Sequence, residues 1–526
     1  MKGFPGIFND VIGPVMRGPS SSHTAASWRA AAMSMKVLNE PLKNALIEFD
    51  RNGAWAPNYR EQGTTLGIDG GLLGIEMADD RIKNTEKIAE ASGVSIRYEI
   101  SDFKTRHVNT VRINLEGQSG KTIQVVAASL GGGAVELQSI NGFDVAINGG
   151  FYELLLVLNK EQVVSDELEQ ILETYCNKQE TVAENDRLIN FKYADEIPET
   201  ILTSLRKLSS VKEIMLIDPV LPVVNGREKP ISFDSVPSLL AYAKNEAMDL
   251  GDLGLIYESC LSGLQETAVV DKMIELVGII ESSIDSGLAG TSYEDRILPQ
   301  QSHLVDVASK RNLILQNSIV NRIIAYVSAI MESKSAMEVV VANPTAGSCG
   351  AVGGVLRAVA EDVEASHDEL IKAYFAAGMV GAFFAMGPGF SAEEHGCQVE
   401  CGASAGMAAA GIAQLFGGSA KQAIDAASMA IQNMIGLVCD PIADRVEAPC
   451  LGKNVSAAVN ALTSATMACS GFNALIPLDE VIETVSRVSQ QMPSCVKCTG
   501  KGGLAITKTA LEIKERMKQS SCYKCS

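Results

Sequence analysis

Three cysteines at fixed separations carry the clearest chemical signal in the chain: Cys397 in GCQVE, Cys439 in VCDPI and Cys450 in APCLG. A single free cysteine most often packs as a small hydrophobe. Three thiolates with no fourth close partner suit an iron–sulfur cluster with one iron left open to substrate. Cys439 stands two residues before Pro441 and Cys450 directly follows Pro449, so both are expected where a helix has ended and backbone N–H groups are exposed.

Two polar turns could serve such a centre. GPSSSHT holds Ser20, Ser21, Ser22, His23 and Thr24, donors enough for the carboxylate of a small zwitterion. Its purely structural reading is the start of an Ala-rich helix, with Ser22 or Thr24 as the cap. NPTAGSCG, with Asn343, Thr345, Gly347 and Ser348, is a second polar turn before a helix, where N–H groups favour anions. Glu394, His395 and Gln398 flank Cys397. The tail carries CVKC (Cys495, Cys498) and CYKC (Cys522, Cys525), two pairs that also resemble a four-thiolate zinc site with a slightly long spacer.

The elements that must position these residues read as an α+β fold. Strands are expected near 95–100, 110–115 and 122–129, followed by the glycine-rich turn SLGGGAVEL. From Phe151 the order becomes strand, helix over 162–174, strand pair including 188–191, helix over 198–208, strand over 211–217. That is the ferredoxin-like split βαβ. A link over 218–230 leads to a remainder that is all helix, crowded with small residues. The expected division is 1–148 for an N-terminal α+β domain and 149–222 for a ferredoxin-like module. An all-α catalytic domain at 235–515 and a cysteine-containing tail at 516–526 complete it.

Composition narrows the class. Of 526 residues 46% are apolar and 20% charged, as in globular proteins, and the net charge of −19 argues against a nucleic-acid partner. Residues 1–10 lack a basic stretch followed by an apolar one, so twelve reduced thiols in the cytoplasm are expected. The apolar run Ala373–Phe390 contains Gly378, Gly381, Gly387, Pro388 and Gly389 and reads as a buried core helix, with no membrane partner expected.

GPSSSHT, NPTAGSCG, GCQ, CDP and APC, together with SLGGG, HVNT and GGLLGIEMADDRI, resemble the iron–sulfur-dependent L-serine dehydratases. The resemblance spans about 13–147 and 235–505, with parts that some members carry as β and α chains fused here around an ACT-like module. It implies a [4Fe–4S] cluster on Cys397, Cys439 and Cys450, no pyridoxal phosphate, and conversion of L-serine to pyruvate and ammonia. It also implies a substrate role for the two polar turns and, because ACT-like modules pair sheet edges across subunits, a homodimer. Sulfide loss from cysteine, water loss from threonine and a non-catalytic amino-acid sensor stay open as alternatives. The chain departs from the family pattern at Gln62, where a histidine usually stands, and at Gln432, Asn433 and Met434, where Glu-His-Asn is common. Gln62 cannot take a proton at neutral pH, which leaves His23, His107 and His395 as substitutes, with His23 the candidate base. In some members a C-terminal cysteine caps the open iron, a role that would fall to Cys525 or Cys522.

Overall fold

The computed structural model describes residues 4–159, 166–172, 175–183, 186–316 and 318–522. After the GPSSSHT turn comes α1 (Ala26–Leu38), then β1 (Leu42–Asp50) and α2 (Thr64–Leu72). Next are β2 (Ser95–Ser101), β3 (Thr110–Gly117), β4 (Thr122–Gly131), β5 (Ala134–Ile140) and β6 (Phe143–Ile147). They form one sheet in the order β2-β1-β3-β4-β5-β6, parallel only between β1 and β2. Alternation decides which side is covered. Ile47 and Phe49, Val111 and Ile113, and Val125 and Ala127 point to one face and pack with Ala30, Met33 and Val37 of α1.

The chain then makes β7 (Tyr152–Asn159), α3 (Asp166–Ile171), β8 (Asn177–Ala183), β9 (Asp186–Tyr193), α4 (Glu199–Leu205) and β10 (Val211–Ile217). The sheet order β10-β7-β9-β8, antiparallel throughout, is the split βαβ topology read from the sequence. Part of the helix expected over 162–174 lies outside the described residues. One face of this sheet meets α3 and α4 through Leu154, Leu156, Leu158 and Phe191. The other, through Leu155, Val157, Leu188, Met215 and Ile217, joins the core under the first sheet.

The remainder is helical. Its centre is built from α5 (Ser318–Ser335), α6 (Cys349–Asp362), α7 (His367–Met386), α8 (Cys401–Leu415), α9 (Ala420–Gln432) and α10 (Cys450–Cys469). Helix α8 is the axis, packed by α6, α7, α9 and α10, and every residue from Cys401 to Ala413 is buried. Small residues allow this. A Cβ on Gly411 would come within 2.9 Å of the Ala373 carbonyl oxygen and 2.8 Å of Leu356. In α7 all side chains from Ala373 to Phe384 are buried. Among the described residues it is the one helix long and apolar enough to cross a membrane, and its place in the core gives it apolar neighbours instead.

The first residues belong to this helical core as well. Ile7, Phe8, Val11, Ile12 and Met16 are buried among α7 and its neighbours, and Val15–Met16 pairs antiparallel with Val340–Val341. The chain thus places the GPSSSHT turn between the first sheet and the helical body.

Candidate active site

Three loops bring the cysteines together. A one-turn helix, Ala392–His395, ends at Gly396, whose φ of 77° turns the chain into Cys397. That left-handed φ favours glycine, and a Cβ there would also crowd Leu437 O at 3.1 Å. Gln398 fixes the next loop: its amide nitrogen donates to the His395 carbonyl at 2.9 Å, and its amide oxygen accepts from Gly436 N–H at 2.9 Å. Cys439 follows in that loop, its N–H donating to Val496 O at 2.8 Å while its carbonyl accepts from Cys498 N–H at 3.0 Å. Cys450 is the first residue of α10, so it lies at a helix start, where the sequence suggested a helix end. The first N–H groups of this helix are partly taken, Leu451 N–H by Glu447 O at 3.1 Å and Lys453 N–H by Pro449 O at 3.1 Å, and the helix N-terminus adds positive potential. Asn454, one turn on, donates to Cys450 O and to Gly347 O, each at 2.9 Å, and joins α10 to the NPTAGSCG loop.

Cys397, Cys439 and Cys450 are all buried, and the Sγ atoms of Cys397 and Cys439 lie within 4.8 Å of each other and of a Glu400 carboxylate oxygen. Two further buried thiols adjoin them. Cys401, four residues after Cys397, hydrogen-bonds to it, and Cys498 hydrogen-bonds to Cys439. The bonds from Cys401 and Cys439 hold the Cys397 thiol well below the ordinary range. The same bonds, with burial, push Cys401 and Cys439 well up, and burial raises Cys450. Two ammonium groups balance this charge. Lys334, wholly buried, donates to Val446 O and faces Cys349 and Cys450. Lys453 donates to Val438 O at 2.7 Å and to Asp440 at 2.6 Å. Clustered soft thiolate donors beside fixed positive charge, closed off from water, fit an iron–sulfur cluster in kind.

The two polar turns reach the same place. Ser22 Oγ donates to Glu393 Oε1 at 2.8 Å, Thr24 Oγ1 donates to Gln62 O at 3.3 Å, and neither caps α1. A π-helical turn, Ser21–Ala25, runs straight into α1 and takes the place of a capped start. Ser20 Oγ meets Ser22 Oγ at 3.2 Å, and Ser21 Oγ accepts from Ala346 N–H at 3.2 Å, which ties the first turn to the second. His23 has no exposed surface: Nδ1 lies 2.9 Å from Thr64 Oγ1 and Nε2 lies 3.3 Å from Glu393 Oε1. In the second turn Thr345 Oγ1 donates to Glu400 Oε1 at 2.8 Å and meets Ser348 Oγ at 3.1 Å. Gly347 lets Glu400 approach, since a Cβ there would stand 3.0 Å from its Oε1. Burial, the Cys397 thiolate and Glu393 drive the Glu400 carboxyl well above its ordinary range.

Asn343 is fully buried, and neither its amide nitrogen nor its oxygen has a partner in the protein. Asn109 and the Ser129 hydroxyl share that condition, and Ser129 N–H donates to Asn109 O at 3.0 Å. The SLGGG turn carries Ser129 to the site: Gly131 pairs with Phe390 and lies so near that a Cβ would be 2.5 Å from Ser391 N. Buried amides without partners are costly, and a polar ligand in this space would satisfy them.

Cys401, Cys498, Glu393, Glu400, Lys334 and Lys453 were not singled out by sequence as parts of one site. Cys401 alone had a usable signal, one helical turn from Cys397. Of the tail cysteines, Cys495 is half-buried and Cys498 buried at the centre. Cys522 ends the last described helix, Lys508–Cys522, and Cys525 lies outside the described residues, so the zinc-like quartet and the C-terminal cap are not addressed.

Comparison with known proteins shows the family. The family described as serine dehydratase alpha chain matches residues 138–505. The probable L-serine dehydratase alpha chain of Bacillus subtilis (strain 168) is 32% identical over 285 residues, 54% of this chain and 95% of that protein. The probable beta chain from the same organism is 36% identical over 150 residues, 28% of this chain and 67% of that protein. L-serine dehydratase 1 of Escherichia coli (strain K12) is 33% identical over 288 residues, 53% of this chain and 62% of that protein. With the matched region covering well over half of its length, the chain belongs to the serine dehydratase alpha chain family.

Proposed function

We propose that the protein is a lyase that dehydrates L-serine and releases pyruvate and ammonia, using a [4Fe–4S] cluster held by Cys397, Cys439 and Cys450. The observation that carries this reading is the convergence of those three sequence-distant buried thiols, with the turn that holds Asn343 tied to them through Thr345–Glu400 and through Asn454, which donates to both Gly347 O and Cys450 O. The cluster, when bound, supplies Lewis acidity toward the substrate hydroxyl, a poor leaving group without it. The protein does the rest. Asn343 offers a donor and an acceptor to the zwitterion, and Ser20, Ser21, Ser22, Thr24, Thr345 and Ser348 complete a polar wall around its carboxylate, with Gly347 leaving room. His23 takes the α-proton, a contribution worth roughly 10²–10⁴ in rate for general bases. The enamine released tautomerises and hydrolyses in water. The split βαβ module is an ACT-like amino-acid sensor in this reading, and the protein is a cytoplasmic homodimer.

The test is anaerobic purification with iron and sulfide counts, paired with a pyruvate assay on L-serine. Close to four irons per chain with pyruvate formed is the expected result. A full cluster without pyruvate redirects the reading to L-cysteine, L-threonine or ligand sensing, all measurable in the same preparation. Absence of iron after reconstitution overturns it.

A further inference from the structure

The mechanism above uses His23 but leaves Glu393 unexplained. This carboxylate is almost wholly buried, with 2% of its side chain exposed, and it is surrounded by donors: Ser22 Oγ at 2.8 Å, Ser391 Oγ at 3.1 Å and His23 Nε2 at 3.3 Å. The Nε2 approach is off-line for a hydrogen bond, so the His23 contact is chiefly electrostatic. A buried ionised carboxylate is tolerated only where charge or hydrogen bonds repay its lost hydration. Burial pushes its pKa up, and His23 together with Ser22 outweighs that and brings it to about 2.

The geometry points to Glu393 as a positioning residue: facing Nε2, it keeps the His23 proton there and leaves Nδ1, against Thr64 Oγ1, as the basic nitrogen. This rests on the proposed elimination. A carboxylate that fixes the tautomer of a catalytic imidazole and stabilises its protonated form is a general device. Trp55 closes the ring in, with centroids 5.4 Å apart, so His23 has little freedom to turn over. In the reaction the Cα–H bond breaks as His23 takes that proton on Nδ1. The electron pair left on carbon forms the Cα–Cβ double bond, and hydroxide departs from Cβ. Imidazolium then stands beside the Glu393 anion. The other ionisable groups near this pair are the Glu394 and Glu400 carboxyls and the Cys498 thiol.

The test compares full-length wild type with Glu393→Gln and Glu393→Asp, each reconstituted anaerobically and checked for iron content and thermal melting. In Glu393→Gln, with iron retained, kcat is expected to fall about 100-fold or more with KM changed less than about threefold. The acid limb of the kcat/KM profile moves to lower pH by about one unit, because the protonated ring has lost its counter-charge. Glu393→Asp restores most of the rate. A Glu393→Gln enzyme with iron retained, kcat within threefold of wild type and an unmoved acid limb overturns the inference. Equal losses of rate and melting temperature in both variants do the same, since they mark a structural role only. A readout independent of turnover accompanies these. Spectra of ¹⁵N-histidine protein, with His23 assigned from a His23→Gln variant, are expected to show the Nε2–H tautomer in wild type and its loss in Glu393→Gln. An Nδ1–H tautomer in wild type overturns the inference. Wild-type protein with a full cluster and no pyruvate fails the proposed reaction instead, and the tautomer measurement then decides Glu393 by itself.

Discussion

At the scale of single residues, the thiols differ enough in setting for substitution to sort them. Cys397→Ser, Cys439→Ser and Cys450→Ser, made singly, are each expected to lose most of the bound iron and all measurable pyruvate formation, because a serine hydroxyl is a hard and weakly acidic donor. Cys176→Ser, at an exposed position in the middle module, should keep full iron and rate. Full iron in any of the first three removes that residue from the ligand set. Asn343 answers a separate question. With both amide atoms buried and unpartnered, Asn343→Ala is expected to raise KM for L-serine by about 10- to 100-fold, the cost of one or two lost buried hydrogen bonds. Iron content should stay unchanged. An unaltered KM would mean that ordered water, and not substrate, meets this amide.

At the scale of elements, periodicity made the split βαβ module legible, because β7 and β9 carry runs of Leu, Ile and Phe that only a doubly covered strand would bury. The edge strand β8, NKQETVA, carries no such pattern, so its existence followed from topology and its extent did not. The capped helix start read at Ser22 and Thr24 was wrong for a tertiary reason: those hydroxyls turn toward Glu393 and Gln62, contacts remote in sequence. The same remoteness hid Lys334 and the meeting of Cys498 with Cys439. A further prediction belongs here. Glu153 on β7 is buried opposite Lys192 of β9, at 3.6 Å, with both carboxylate oxygens otherwise unpartnered. Burial outweighs the pull of Lys192 and pushes its carboxyl up to about 7. A carboxyl raised in the folded state is held there more tightly as the neutral acid, so its cost is absent below the unfolded pKa near 4.5. It grows between about 4.5 and 7 and is complete above 7, amounting to about 3 kcal/mol. Glu153→Gln should therefore gain stability relative to wild type as pH rises from 5 to 8, read from urea midpoints. A difference that stays flat with pH would show that Glu153 is ionised in the folded protein at both ends.

At the scale of the whole molecule, the chain interleaves its parts, and this bears on how relatives can be two chains. Ile7, Phe8, Val11 and Ile12 sit in the helical core, and Ile7 N–H donates to the buried Glu258 carboxylate at 2.6 Å. Asn9 reaches the link, donating to Val223 O at 2.9 Å and accepting from Val223 N–H at 3.0 Å. The GPSSSHT turn is then sealed between the two bodies by Glu393 and Ala346. The covalent link is exposed at Arg227–Pro230 and carries none of these contacts to the N-terminal segment. A protein cut between Arg227 and Glu228 and produced as two co-expressed pieces should therefore assemble. It should survive washing in about 1 M salt, because buried apolar side chains, and not screened surface charge, hold the pieces together. Burying Ile7 and Phe8 is worth roughly 1.5–3 kcal/mol for each side chain. Ile7→Asp with Phe8→Asp in the first piece should then abolish co-purification and, with it, the iron content of the second. Pieces that remain joined despite both aspartates would place the decisive contact elsewhere, between the first sheet and the loops that carry Asn343 and Phe390.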